Sequence, residues 1–309
     1  MKYKIVFFGS SHYSIPIVTI LSNSNDFEFK GVITKEDGEE LFKKYTPTGT
    51  RFYTLTSFKS DEGQHIIDEL KEMELDLVLV ADYGLMIPKS FFKIPKKGFV
   101  NIHFSDLPQL RGASPVQYTI LKGLKKATYT FLDMVGKDEP EMDSGDIVYQ
   151  NSVELTGQET TESLYTTLFE YAAKDLEKIL IDYLTSRITP LPQDHALKTF
   201  TTPSEIFDRT TLIKADDAFI DHSKSDEYIE RAIRAFTPWP KAWTTIEELF
   251  KWAKDKKMVK EMRPEAKGDK RVNIVKGHID ENKKLQIDEL QVEGKKKVNW
   301  HDFANGYFR

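Results

Sequence analysis

An amide, an imidazole and a carboxylate stand at two places in the first half of the chain. Asn101 and His103 belong to a short apolar run at residues 99–103, and on a strand these two alternate residues share one face. Asp143 follows later, within residues 142–146. An amide can donate a hydrogen bond to a developing oxyanion, an imidazole can exchange a proton near neutral pH, and a carboxylate can orient the imidazole or stabilise its charge. Together these three side chains could assist nucleophilic attack on an acyl group.

No obvious nucleophile accompanies these residues. The sequence contains no cysteine, which excludes a thiolate nucleophile, a disulfide scaffold and a zinc site built from cysteine. We therefore expect a substrate amine to attack a bound acyl donor directly, without a covalent intermediate on the protein. Five further histidines show no ligand spacing, and we predict no metal site from them: His12, His65, His195, His278 and His301.

Strand-like and helical runs alternate along the first half of the chain. Short apolar strands are predicted at residues 3–8, 27–34, 75–81, 99–103 and 128–134. Helices are predicted from residue 14 onward and at 60–73, 114–123 and 161–183. This alternation predicts an α/β fold with a doubly wound, mostly parallel sheet. Because such sheets bind ligands beyond the carboxyl ends of their strands, the end of the 99–103 strand is the expected site.

The C-terminal part differs from the rest of the chain in charge. Residues 231–309 carry 19 basic and 12 acidic residues, whereas the preceding part carries 25 and 37. This asymmetry favours docking of a polyanion by the C-terminal part, although a solvated lysine-rich surface explains it equally well.

Prolines and short strands divide the chain into two domains. Pro190, Pro192 and Pro203 indicate a linker at residues 186–205, between a domain at 1–185 and a domain at 206–309. Short strands at 242–246, 271–275, 284–290 and 297–300 predict a small β-barrel in the second domain.

Composition excludes several classes of protein. With 39% hydrophobic residues over 309 positions, the chain can fill real cores and is not a disordered protein. No apolar run approaches the ~18 residues that span a bilayer, so we expect no membrane segment. The first apolar strand begins directly after the N-terminal residues, so we expect no separate signal or transit segment. We therefore expect a cytoplasmic protein.

Residues 101–112 are similar to the Asn-x-His-x-Ser-x-Leu-Pro-x-x-Arg-Gly signature of the 10-formyltetrahydrofolate-dependent formyltransferases. The chain also resembles this family, in the family's order, at GSS (9–11), YGLMIP (83–88) and DSGD (143–146). In the C-terminal part, IRAFTPWPKAW (233–243) resembles the segment that opens the second domain of the members that formylate methionyl-tRNA, and QVEGKK (291–296) resembles the end of that domain. The resemblance spans essentially the whole chain.

The resemblance implies a Rossmann-like catalytic domain followed by a β-barrel of the oligonucleotide-binding (OB) type. It implies transfer of a formyl group from 10-formyltetrahydrofolate to the methionine amine of initiator methionyl-tRNA, by a cytoplasmic monomer. Asn101, His103 and Asp143 would be the catalytic residues. The residues that would bind the folate co-substrate are Ser105, Asp106, Leu107, Pro108, Tyr83, Gly84, Met86, Ile87 and Pro88. The residues that would contact the tRNA are Ser10, Ser11, Lys43, Lys44, Arg111, Arg234, Lys254, Lys256 and Lys257.

Two departures from the family pattern keep alternatives open. Residues 34–44 are acidic where the family carries a longer loop rich in Gly, Arg and Lys that is thought to enter the acceptor end of the tRNA, and carboxylates near phosphates repel. Asp106 stands where the family usually has leucine, beside the expected folate pocket. The acidic loop favours, as an alternative, a formyltransferase acting on the amine of a sugar nucleotide. A non-catalytic RNA-binding protein on the same scaffold is the second alternative.

Overall fold

The computed structural model describes residues 2–35, 38–134, 141–201, 213–266, 268 and 270–309. Within them the chain forms two compact units. The first contains residues up to 115, residues 126–154 and residues 165–201, and the second contains residues 116–125, 155–164 and the part from 213 onward.

A seven-stranded sheet organises the first unit. Its strands are β1 (Tyr3–Phe8), β2 (Phe27–Thr34), β3 (Arg51–Thr54), β4 (Leu77–Ala81), β5 (Phe99–His103), β6 (Lys126–Asp133) and β7 (Asp146–Glu154). They lie in the order β3-β2-β1-β4-β5-β6-β7. Neighbours from β3 to β5 are parallel, whereas β6 and β7 are antiparallel to the strands beside them. The predicted α/β fold with a mostly parallel sheet is confirmed.

Helices alternate with most of these strands along the chain. The α-helices that begin in the first 200 residues are α1 (Ile15–Asn23), α2 (Gly38–Phe42), α3 (Asp61–Glu72), α4 (Pro115–Leu121) and α5 (Thr161–Leu184). Single 3-10 turns lie at His12–Ser14, Lys43–Tyr45, Lys89–Lys93 and His195–Leu197. Strand β4 is buried at every position because it lies in the middle of the sheet. Helix α3 begins where the Ser60 hydroxyl accepts a hydrogen bond from the Gly63 N–H.

The second unit contains a four-stranded antiparallel sheet with strand order β11-β10-β9-β8. Its elements are α6 (Asp226–Ala235), β8 (Trp243–Thr245), α7 (Ile246–Asp255), β9 (Arg271–Ile279), β10 (Leu285–Val292), β11 (Lys297–Asn299) and α8 (Trp300–Tyr307). Further 3-10 turns lie at Asp216–Ala218 and Pro264–Ala266. The four predicted strands are present, and their closure into a barrel stays a prediction. Helices α7 and α8 were not predicted; each begins at a capping side chain, Thr245 and Asn299.

Candidate active site

Strand β5 lies beside the central strand β4 and carries Asn101 and His103 on one face. Val100 and Ile102 point to the other face and are fully buried, while Asn101 is half-buried and His103 is 6% exposed. Asn101 pairs with Val80 of β4 on one side and with Leu132 of β6 on the other. The hydrogen bonds of these neighbouring strands hold the amide and the imidazole in register.

The imidazole of His103 has a defined partner at each ring nitrogen. Its Nε2–H donates to the carbonyl oxygen of Leu110 over 3.1 Å, and a carbonyl can only accept. Its Nδ1 lies 3.7 Å from Oδ2 of Asp143, which is the range of an ion pair rather than a hydrogen bond. Both side chains are nearly buried, so water screens the carboxylate from the ring only weakly.

Asp143 adopts an unusual backbone conformation at this position. Its φ of 53° lies in the left-handed region, where a residue other than glycine is uncommon. Its Oδ2 accepts a hydrogen bond of 2.9 Å from the Gly112 N–H, and Gly112 itself has a φ of 113°. A Cβ on Gly145 would lie 1.8 Å from the carbonyl oxygen of Asp133, so only glycine fits there. The DSGD run is therefore a tightly packed loop that holds its aspartate against His103.

The connection that carries Asp143 starts and ends beside the first residues of β5. Asp133 of β6 pairs with Val100, and Asp146 of β7 pairs with Asp133, because β6 runs antiparallel to β5. The carboxylate thus arrives from a connection between two antiparallel strands, whereas His103 ends a parallel strand. Residues 135–140 of this connection lie outside the described residues.

The turn from Ser105 to Pro108, predicted to bind folate, is held by partly buried hydrogen bonds. The Ser105 hydroxyl donates to the carbonyl oxygen of Gln109 over 2.6 Å, and the Gln150 amide donates to the carbonyl oxygen of Leu107 over 2.9 Å. The peptide bond between Leu107 and Pro108 is cis. Leu107 is buried and Asp106 is exposed, so the carboxylate that departs from the family pattern faces solvent.

The loop from Tyr83 to Pro88 follows β4 at the same edge of the sheet. The ring of Tyr83 packs edge-on against Phe8 with centroids 5.2 Å apart, and burial raises the pKa of its hydroxyl. This hydroxyl is buried and has no hydrogen-bond partner within the described part of the chain. Ile87 is buried, Gly84 is exposed, and Met86 is 47% exposed. Tyr83 and Ile87 thus pack in the hydrophobic core, whereas Met86 exposes apolar surface.

Four of the predicted tRNA contacts belong to the loops after β1 and β2. Ser10 accepts a hydrogen bond from the Lys35 N–H over 3.2 Å, and the Ser11 hydroxyl is buried without a partner among the described residues. Lys43 and Lys44 are exposed; Lys43 lies 3.4 Å from a carboxylate oxygen of Glu39. Residues 36 and 37 of the acidic loop lie outside the described residues.

Arg111, also predicted to contact tRNA, is completely buried. Its Nη1 donates to Glu141 over 2.9 Å, and its Nε and Nη2 donate to Oε1 of Gln193 over 3.1 and 2.6 Å. Burial lowers the pKa of Arg111, and the nearby carboxylates of Glu141 and Asp143 oppose this shift. The guanidinium has no exposed surface with which to meet a substrate.

Sequence reasoning missed the residues that surround Arg111. The backbone of Arg111 is bonded on both sides to the segment at 199–201, and the hydroxyl of Thr199 accepts from the Leu110 N–H. Gln193 is 5% exposed and bonds to the loop of Asp143. These residues lie in the proline-containing stretch predicted as a linker, where the sequence offers no local signal for partners more than 80 positions away.

The remaining predicted tRNA contacts belong to the second unit and divide into ion-paired and exposed side chains. Arg234 forms a two-pronged ion pair with Glu230, at 2.6 and 2.9 Å, and is nearly buried. Lys256 pairs with Asp226. Lys254 and Lys257 are exposed.

Neither a metal cluster nor a membrane helix is found in the described part of the chain. Among residues 2–35, 38–134, 141–201 and 213 onward, no group of three or more acidic or histidine side chains is arranged to hold a metal ion. No helix in these segments combines the length and the apolar character that crossing a bilayer requires.

Comparison with known proteins finds similarity along nearly the whole chain. The formyl transferase family matches residues 4–180, and the formyl transferase C-terminal domain matches residues 212–308. A methionyl-tRNA formyltransferase of Bacillus cytotoxicus is 31% identical, with 98% of this chain and 95% of the relative aligned. One of Listeria monocytogenes is 32% identical over 79% of this chain and 76% of its own length.

A solved structure supports the fold. The methionyl-tRNA formyltransferase of Clostridium thermocellum superposes with a TM-score of 0.61 at 19% identity, over 94% of this chain and 98% of its own. The Rossmann-like architecture of the first unit agrees with this similarity. By its two matched domains and by relatives aligned along nearly their full length, the chain belongs to the formyl transferase family and, within it, to the methionyl-tRNA formyltransferases.

Proposed function

We propose that the protein transfers a formyl group from 10-formyltetrahydrofolate to the α-amine of methionine on initiator methionyl-tRNA. The observation that carries this proposal is the pairing of His103 with Asp143 on the face of β5 that also carries Asn101. The family relation specifies the substrates, because the relatives named methionyl-tRNA formyltransferase align over both domains.

The chemistry needs stabilisation of charge rather than a nucleophile on the protein. The neutral α-amine attacks the formyl carbon, and a C–N bond forms as the carbonyl oxygen becomes an oxyanion. The Asn101 amide donates to this oxygen, and the protonated His103 ring, held beside Asp143, offsets its charge. The bond from the formyl carbon to N10 of the folate then breaks, and the proton lost by the amine passes to N10.

The folate co-substrate is proposed to lie between the two loops that follow β4 and β5. The turn at residues 105–108 is held by two hydrogen bonds, from the Ser105 hydroxyl to the carbonyl oxygen of Gln109 and from the Gln150 amide to the carbonyl oxygen of Leu107. Met86 supplies exposed apolar surface, and exposed Asp106 leaves the apolar side of the turn free of charge. No metal is part of the proposed reaction.

We propose that a second domain at 206–309, joined by a linker at 186–205 to the catalytic domain at 1–185, binds the tRNA. Its excess of basic residues and its exposed Lys254 and Lys257 suit contact with phosphates. Its four antiparallel strands suit a barrel of the OB type, and OB folds bind oligonucleotides. We further propose that the enzyme acts as a cytoplasmic monomer.

The substrate assignment is tested with purified protein, labelled formyl donor and three acceptors. Initiator methionyl-tRNA should be formylated, while elongator methionyl-tRNA and a dTDP-amino sugar should not. Formylation of the amino sugar alone would establish the sugar-nucleotide alternative, and tRNA binding without turnover would establish the non-catalytic one. Asn101→Ala should lose about 10²–10³ in kcat. Asn282→Ala, which removes an amide from an exposed turn, is the matched control and should retain wild-type activity.

A further inference from the structure

We propose that Gln193 is a positioning residue for formyl transfer: its side chain fixes the backbone of the loop that holds Asp143 against His103. The inference rests on the proposed function for its kinetic test. Its structural basis is a set of four hydrogen bonds made by one buried side-chain amide.

The NH₂ group of Gln193 is bonded to the loop of Asp143. Its Nε2 donates to the carbonyl oxygen of Asp143 over 2.8 Å and to the carbonyl oxygen of Gly145 over 2.7 Å. An amide NH₂ has two hydrogens, so both are used within this one loop. The bonds are made to backbone oxygens on either side of Ser144 and therefore restrain the loop where it bends.

The carbonyl end of the same amide is fixed by Arg111. Its Oε1 accepts from Nε and Nη2 of the guanidinium at 3.1 and 2.6 Å. Because a guanidinium can only donate and a backbone carbonyl can only accept, the amide has one satisfactory orientation, and a flipped Gln193 would lose all four bonds. Arg111 is itself completely buried and also bonded to Glu141.

Asp143 needs this support because its own conformation is unfavourable. A φ of 53° places a non-glycine residue in the left-handed region, which persists only where surrounding contacts impose it. The Gly112 N–H holds the carboxylate, and Gln193 holds the main chain behind it. The 3.7 Å separation between Asp143 and His103 therefore depends on a residue that touches neither the imidazole nor, in the proposed reaction, the substrate.

Gln193→Glu tests the roles of the two ends of the amide separately. A glutamate can still accept from Arg111, and its charge pairs with the guanidinium, so the buried arginine keeps a partner. It cannot donate to the carbonyl oxygens of Asp143 and Gly145. We expect kcat to fall about 10²-fold, as a misplacement of about 1 Å can do, while the KM for the folate changes less than threefold. Gln158→Glu, at an exposed loop position, is the matched control.

A double-mutant comparison distinguishes positioning from a general structural effect. Gln193 acts through Asp143, so adding Gln193→Glu to Asp143→Asn should reduce kcat no further than Asp143→Asn alone. An equal additional loss in both backgrounds would contradict the proposal. Should Gln193→Glu not fold, Gln193→Met, which removes the polar ends but retains the volume, is compared in the same two backgrounds.

A second readout does not depend on turnover. In protein labelled with ¹⁵N-histidine, the ring-nitrogen signals of His103 are identified by their loss in His103→Gln. Gln193→Glu should shift these signals, since it moves the carboxylate beside Nδ1, and Gln158→Glu should not. If the wild-type protein shows no transfer activity, the proposed function is refuted, and the NMR comparison still decides the role of Gln193. Unchanged His103 signals, or wild-type kcat in the folded variant, would overturn the positioning role.

Discussion

Replacing Gly145 by alanine should displace Asp143 without changing the chemical identity of any catalytic side chain. The added Cβ would lie 1.8 Å from the carbonyl oxygen of Asp133, whereas real contacts of this kind stay above 3.0 Å. The loop must therefore move by about 1.2 Å, because a close-packed backbone contact does not compress. Gly145 is two residues from Asp143 and bonded to Gln193, so the displacement reaches the carboxylate. A misplacement of about 1 Å can reduce turnover about 10²-fold, which is the loss of kcat that we expect.

The assay is the initial rate of formyl-methionyl-tRNA formation at saturating substrates, with Tm measured on the same samples. The fold should survive, because Gly145 precedes β7, which is an edge strand of the sheet. Gly306→Ala is the matched control, since a Cβ at Gly306 in helix α8 meets no atom within 4 Å. The reasoning is refuted if folded Gly145→Ala turns over within twofold of the wild type.

Three further substitutions test the account of packing and charge. Arg234→Met should destabilise the protein by about 3–5 kcal/mol in urea titrations, because it leaves the nearly buried carboxylate of Glu230 without a cation; a loss under about 1 kcal/mol would contradict this. Burial lowers the pKa of His222 from 6.5 to about 4, so the unfolded chain takes up a proton at a higher pH than the folded protein does. The free energy of unfolding therefore falls as the pH drops from 6.5 towards 4, by about 2 kcal/mol between pH 6.5 and 5. The decrease in Tm between pH 7 and pH 5 should accordingly be smaller in His222→Gln, and an equal decrease would count against the assignment. Tyr83→Phe removes a buried hydroxyl that lacks a partner among the described residues, so the free energy of unfolding should stay unchanged or rise by about 1 kcal/mol, and a clear loss would show that the hydroxyl is bonded.

The sequence predicted best the elements whose side chains follow a simple burial pattern. Residues 27–34 and 99–103 are strands with the predicted bounds. Strands β3 and β7 were missed because both are edge strands with few buried residues, and an edge strand need not show the apolar signal of a central one. Helix α7 was missed because its first residue, Ile246, also suits the end of the short strand that precedes it.

The candidate site was predictable as a set of residues but not as an arrangement. Alternation along β5 placed Asn101 and His103 on one face, and the structure brings Asp143 to the imidazole. The support of Asp143 by Gln193 could not be predicted, because it joins residues 50 positions apart through main-chain oxygens, which leave no mark in the sequence. For Arg111 the sequence prediction pointed to the surface, because an arginine within a family signature suggested contact with the substrate. The side chain is instead buried, since its partners come from distant parts of the chain.

The central claim is that the charge of Asp143, held beside His103, assists the transfer of the formyl group to methionyl-tRNA. A single-turnover measurement tests it most directly, with enzyme and 10-formyltetrahydrofolate in excess over labelled initiator methionyl-tRNA. Asp143→Asn retains an oxygen to accept the Gly112 N–H and removes only the charge near the imidazole. We predict that the single-turnover rate of Asp143→Asn falls at least about 10²-fold while folate and tRNA bind as in the wild type. A wild-type rate in the folded variant would contradict the account.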